Sequence, residues 1–135
     1  MNKVTFSKDI TIKWMVFGAI ICALYVALGA FGSHGLEGKL TAKQLTTYNT
    51  GLRYMIIHGL ALILTNLSYI ILEKYNAWTN RFAAAGLLLF SVSLLIHATK
   101  DLLGIDVNVF ALLAPIGGFS YIIFWILYAL TLSKK

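Results

Sequence analysis

Three histidines, His34, His58 and His97, with Arg53, Tyr54, Ser93 and Asp101, are the side chains of this 135-residue chain best suited to chemistry. Imidazoles ligate metals and move protons, while guanidinium, hydroxyl and carboxylate groups hold polar ligands. Ser93, His97 and Asp101 follow one another at intervals of four, so on a helix they share one side. Tyr54, His58, Ala61, Thr65 and Ser68 likewise fall on one helical face. Three readings of this constellation stand side by side. The first is a hydrogen-bonded cap that fixes helix ends, with Arg53 and Lys100 snorkelling to lipid phosphates. The second is a polar pocket for a small ligand or lipid head group. The third is a metal or haem site, for which His34 and His58 are weak candidates and His97 a further one. They lack the close ligand spacing that makes a metal motif specific. No serine or cysteine stands in a nucleophile motif. Cys22, the one cysteine, reads as a packing residue, and no cofactor is expected.

The elements that must position these groups are written in four apolar runs, 12–33, 52–72, 82–103 and 110–132. Each reaches the roughly 17–25 residues that a helix needs to cross a bilayer. The composition, 59% hydrophobic and 12% charged, lies far from that of a soluble domain. In hydrocarbon every backbone polar group must be satisfied within the protein, and continuous rather than alternating apolar runs select helices over a barrel. The expected fold is all-α: one four-span transmembrane domain over 1–135, built as an integral membrane four-helix up-down bundle. The basic start, Lys3, Lys8 and Lys13, does not make the first run a cleaved signal, because the run exceeds the roughly 7–15 residues of a signal core.

Between the first two spans, Thr41 reads as an N-cap and Leu45, Tyr48 and Leu52 recur at helical spacing. These predict a short amphipathic interfacial helix feeding the second span. Helix contacts in a membrane rest on close packing, so Gly29, Gly32, Gly35, Gly117 and Gly118 are expected at contacts, with Gly18 and the alanines of the first span. Pro115 is expected to kink the fourth span. Seven of the 11 lysines and arginines fall on the side of the termini and four on the other, which predicts a multi-pass cell-membrane protein with both termini cytoplasmic. Membrane lipids are the expected partners, with self-association or other membrane proteins as further candidates. Nucleic acid is not expected, because the positive charge is spread over both faces.

Several segments carry a resemblance. Gly29-Ala-Phe-Gly-Ser-His-Gly-Leu36, then Thr50-Gly-Leu-Arg-Tyr54 and His58-Gly-Leu-Ala-Leu62, then Phe90-Ser-Val-Ser-Leu94, Pro115-Ile-Gly-Gly118 and Trp125 resemble the small four-span membrane proteins of domain-of-unknown-function family 423. The resemblance implies a membrane-embedded helical bundle and supplies no reaction, substrate or cofactor. His34, Arg53, Tyr54, His58, Ser91 and Ser93 fall on matching positions. His97 stands where the pattern is apolar, Met55 replaces a glutamine and Ala114 replaces a threonine. The leading expectation is a non-enzymatic membrane protein that acts by helix association or by binding a lipid or small ligand near its outer face. A transporter or channel subunit formed by oligomerisation and a metal- or haem-dependent redox protein are the alternatives.

Overall fold

A computed structural model describes residues 8–104 and 108–134. The described residues form helices and connecting loops, and no strand occurs among them. In chain order the elements are α1 (Lys8–His34), α2 (Ala42–Leu72), α3 (Ala77–Gly86), a π-helical turn (Leu87–Val92), α4 (Ser93–Leu103) and α5 (Asn108–Ser133). α3, the π turn and α4 run on without a break and together form the third span, Ala77–Leu103. Four helices are thus long and apolar enough to cross a membrane.

The helix ends explain the boundaries. Thr41 caps α2 in a capping box: its hydroxyl accepts from the Gln44 N–H at 3.3 Å, and the Gln44 side chain accepts from the Thr41 N–H at 2.9 Å. Nothing interrupts the helix from Ala42 to Leu72, so the amphipathic stretch expected as a separate interfacial helix is the first part of α2 itself. Its polar residues sit on a helix that hydropathy alone would begin ten residues later. Glu73, at φ 51°, ends α2 in the left-handed conformation, and Asn76 restarts the chain by accepting from the Trp78 N–H. Gly104, at φ 65°, closes α4. α5 continues through Pro115.

Contacts between the helices fix their order and direction. Tyr48 on α2 donates its hydroxyl to the Leu28 carbonyl of α1 at 2.6 Å, and Gly18 of α1 backs onto Gly59 of α2, so the two run antiparallel. A Cβ built on Gly18 would lie 2.7 Å from the Gly59 carbonyl oxygen. α2 and the third span are antiparallel as well, with Asn66 paired to Asn80 and Gly51 against Ser91. Gly86 meets Tyr121, and Gly117 meets the Leu89–Phe90 backbone, which sets α5 antiparallel to the third span. α1 packs chiefly along α2. It buries only Thr11, Gly18, Ile21 and Gly32 and leaves Val16, Ile20, Leu24, Val26 and Phe31 exposed for lipid. The bundle is therefore a three-helix core of α2, the third span and α5, with α1 on its flank.

Two of the glycines expected at helix contacts lie elsewhere. A Cβ on Gly29 would meet nothing within 4 Å, and one on Gly35 would meet the Phe31 ring of its own segment. Gly32 makes room for the Tyr48 ring, 2.6 Å from its would-be Cβ, while Gly118 meets only the Phe90 ring at an ordinary 3.7 Å.

Candidate functional site

The side chains that the sequence groups together are dispersed, and three places in the structure stand out. The first is the gap between α2 and α5, which large rings fill. His58, only 3% exposed, stacks on Tyr121 with ring centroids 3.4 Å apart. Tyr54, Phe124 and Trp125 surround the pair. The Trp125 indole N–H reaches His58 Nε2 at 3.3 Å, and His58 Nδ1 lies 2.9 Å from the Tyr54 carbonyl. An indole N–H can only donate, so Nε2 is the acceptor and Nδ1 carries the hydrogen given to Tyr54. Both ring nitrogens are thereby used. Tyr121 shares a hydrogen bond of 2.9 Å with Ser91, which the π turn directs toward it. The sequence reading overlooked Tyr121 and Phe124, and the aromatic residues facing His58 at helical spacing along α5 were the available signal.

The second place is the third span. Ser93 is buried and donates to the Leu89 and Phe90 carbonyls at 2.6 and 3.0 Å. Those oxygens belong to the π turn, whose wider ring displaces them from ordinary helical partners. Gly51 of α2 and Gly117 of α5 allow both neighbours close to this backbone. Asp101 accepts from the Gln44 Nε2 amide at 2.6 Å and so ties the end of α4 to the cap of α2. His97 lies between Ser93 and Asp101 and makes neither bond.

His34 and Arg53 are exposed on α1 and α2. His58 is enclosed among rings with both nitrogens engaged, and His34 stands at the exposed end of another helix. Among the described residues no group of three His, Cys, Asp or Glu side chains could hold a metal ion. The half-buried Cys22 lies against Gly59 at the α1–α2 crossing.

The third place is a groove of about 580 Å³ where α1 ends and α2 begins, within the range of about 300–1,000 Å³ common for small-molecule pockets. α1 contributes Tyr25, Gly29, Gly32 and Ser33; the turn contributes Leu36, Glu37, Gly38 and Leu40; α2 contributes Leu45, Asn49 and Leu52. Three features of the chain shape it. Tyr48 clamps α1 to α2 beside it, Gly29 leaves space open where a side chain would stand, and Gly38 turns the loop at φ 68°. Glu37 is the one charged residue in its lining, against four leucines. An alkyl chain fits the leucine walls, and a hydroxyl or ammonium group fits Glu37, Asn49 and Ser33. Of the expected packing residues, Gly29 and Gly32 line this groove; none of the seven expected polar-cluster residues does.

Toward the other end of the core lies a polar layer that the sequence reading missed. Asn66 and Asn80, both 0% exposed, exchange side-chain hydrogen bonds of 2.8 and 3.0 Å. Tyr69 donates to Thr79, Tyr128 to Ser68 and Asn76 to Thr131, each at 3.0 Å. Asn66 inside the second apolar run was the signal, since hydrocarbon gives an amide no partner except protein, while Asn80 stands just before the third run as the sequence bounds it.

The comparisons with known proteins agree with this architecture. The family described as "Protein of unknown function (DUF423)" matches residues 28–118. The chain is 35% identical over 123 residues to the UPF0382 membrane protein YwdK of Bacillus subtilis, covering 90% of this chain and 96% of that one. It is 33% identical over 127 residues to the UPF0382 inner membrane protein YgdD of Escherichia coli K12, covering 90% and 92%. No solved structure matches. The match to the family begins at Leu28 and so takes in the whole turn that lines the groove.

Proposed function

The chain belongs to the DUF423 family of proteins of unknown function, and from that premise we propose that this membrane protein binds one amphiphilic, lipid-like molecule in the groove between α1 and α2. It acts as a binder and not as a catalyst. The observation that carries the reading is the groove itself: about 580 Å³, leucine-walled, with a single carboxylate at Glu37. That lining favours an alkyl chain with an uncharged or cationic head group, because burying an anion beside Glu37 would set like charges together. The seven-to-four distribution of lysines and arginines supports cytoplasmic termini, an orientation in which the groove would lie in the outer leaflet. His34 and Arg53 are then at head-group depth, where basic side chains reach lipid phosphates.

Gly29 provides the test. A Cβ built there meets nothing within 4 Å, and Gly29 lines the groove. Gly29→Leu should fill the cavity while helix propensity rises by about 1 kcal/mol. Native mass spectrometry of protein purified in mild detergent is expected to show a retained lipid-mass species on the wild type. The variant should lose it without losing helicity or thermal stability. Equal retention by a folded Gly29→Leu protein would refute the groove as the binding site.

A further inference from the structure

A second, smaller cavity lies between α2 and α4 at the same end of the molecule. Lys43, Gln44 and Thr47 of α2 face His97, Ala98 and Lys100 of α4 across about 170 Å³. Two lysines from different helices thus line one cavity. The nearby carboxylate, Asp101, is engaged by Gln44 Nε2 at 2.6 Å, and Gln44 Oε1 accepts from the Thr41 amide and hydroxyl. These bonds hold the two helix ends in register and leave two lysines against one acid. His97 Nδ1 is buried without a hydrogen-bond partner, the one such side-chain atom among the described residues. A buried polar nitrogen lacking a protein partner calls for a bound group or a water.

We propose that this cavity binds one phosphate group, either the phosphodiester of a phospholipid head group or free phosphate. Lys43 and Lys100 neutralise it, and the His97 ring donates to a remaining oxygen. Phosphate suits the site for three reasons. Lysine ammonium groups are compact point charges that meet its oxygens from several directions. The volume admits a phosphate and a few waters, at about 30 Å³ of liquid per water. Lys100 stands in the last turn of a span beside exposed Leu102 and Leu103, the transition from hydrocarbon to head groups. The site differs in charge from the α1–α2 groove, whose lining carries only Glu37.

The experiment is a native mass spectrometry titration of the full chain in dodecyl maltoside, with phosphatidylglycerol and with diacylglycerol of the same acyl chains. The wild type is expected to take one phosphatidylglycerol about tenfold or more tightly than diacylglycerol, as charge-assisted contacts require. Lys43→Gln/Lys100→Gln should erase that preference, Lys43→Arg/Lys100→Arg should keep most of it, and Gly29→Leu, which blocks the groove that admits an uncharged head group, should keep or widen it. Competition by millimolar inorganic phosphate would support the proposal with the free anion as a sufficient ligand. Its failure to compete, with the lipid preference intact, would support the head group as the ligand. Equal binding of the two lipids by the wild type would overturn the proposal whatever the variants do. So would an unchanged preference in a folded Lys43→Gln/Lys100→Gln protein.

Discussion

Asn66 and Asn80 bond to each other at full burial, and Asn66 also donates to the Leu62 carbonyl at 2.8 Å. Asn66→Ala strips the Asn80 amide of its partner in a place without water, so a loss of about 1–2 kcal/mol is expected. Asn66→Ala/Asn80→Ala removes both halves and should cost less than the sum of the single changes, with a coupling of about 0.6–1.7 kcal/mol in a reversible unfolding titration. Simple additivity would count against the pair as a lock between α2 and α3. Residue chemistry was partly legible in the sequence. The spacing of Tyr54 and His58 put them on one face of the second span, and Thr41 announced an N-cap. The partners were not legible, because Tyr121 and Trp125 read as ordinary span aromatics until α5 is folded against α2. The expected gathering of His34, Arg53, His58, His97 and Asp101 disperses because His58 stands level with Gly18 and Cys22 near the middle of α1, whereas His34 ends α1 and Asp101 meets Gln44 at the start of α2.

α1 is held by small residues more than by burial, as its exposed Val16, Ile20, Leu24 and Val26 indicate. At Gly59 a built Cβ would lie 3.1 Å from Cys22 Sγ and 3.3 Å from the Gly18 carbonyl oxygen. Gly59→Cys is therefore expected to form an intramolecular disulfide with Cys22 on mild oxidation, because the thiols fall within the short reach that a bridge demands. Thiol labelling followed by mass measurement reads the result. Two persistently free thiols would place α1 elsewhere. The π turn makes a different demand. Gly117 abuts the Phe90 amide and Leu89 carbonyl carbon, whereas Gly118 meets only the Phe90 ring at 3.7 Å. Gly117→Ala should overpack α5 against the third span and cost about 1–3 kcal/mol, while Gly118→Ala should be neutral or slightly stabilising through helix propensity. Equal thermal shifts for the two variants would contradict that account. Hydropathy made the four spans legible and hid the first ten residues of α2, whose lysine, glutamine and threonines are polar although helical. It was blind to the π turn, since a wider turn leaves the apolar character of Leu87–Val92 unchanged.

At the scale of the whole molecule, a tightly hydrogen-bonded core of α2, the third span and α5 carries α1 as a flanking helix. A groove of about 580 Å³ lies at the seam between the two. A core whose histidine is sealed by rings and whose asparagines are paired has its polar groups committed to structure. The seam is different, because Gly29 opens it and Glu37 polarises it. The arrangement suits a protein that takes up an amphiphile from the bilayer at one end of the α1–α2 pair. Photo-crosslinking in nanodiscs with a diazirine-bearing phosphatidylethanolamine, followed by peptide mapping, tests that claim most directly. Saturable labelling is expected on the groove-lining stretch from Leu36 to Leu52, competed by unlabelled phosphatidylethanolamine and abolished in Gly29→Leu. Labelling that scales linearly with probe, spreads over the exposed faces of α1 and α5 and ignores Gly29→Leu would contradict it.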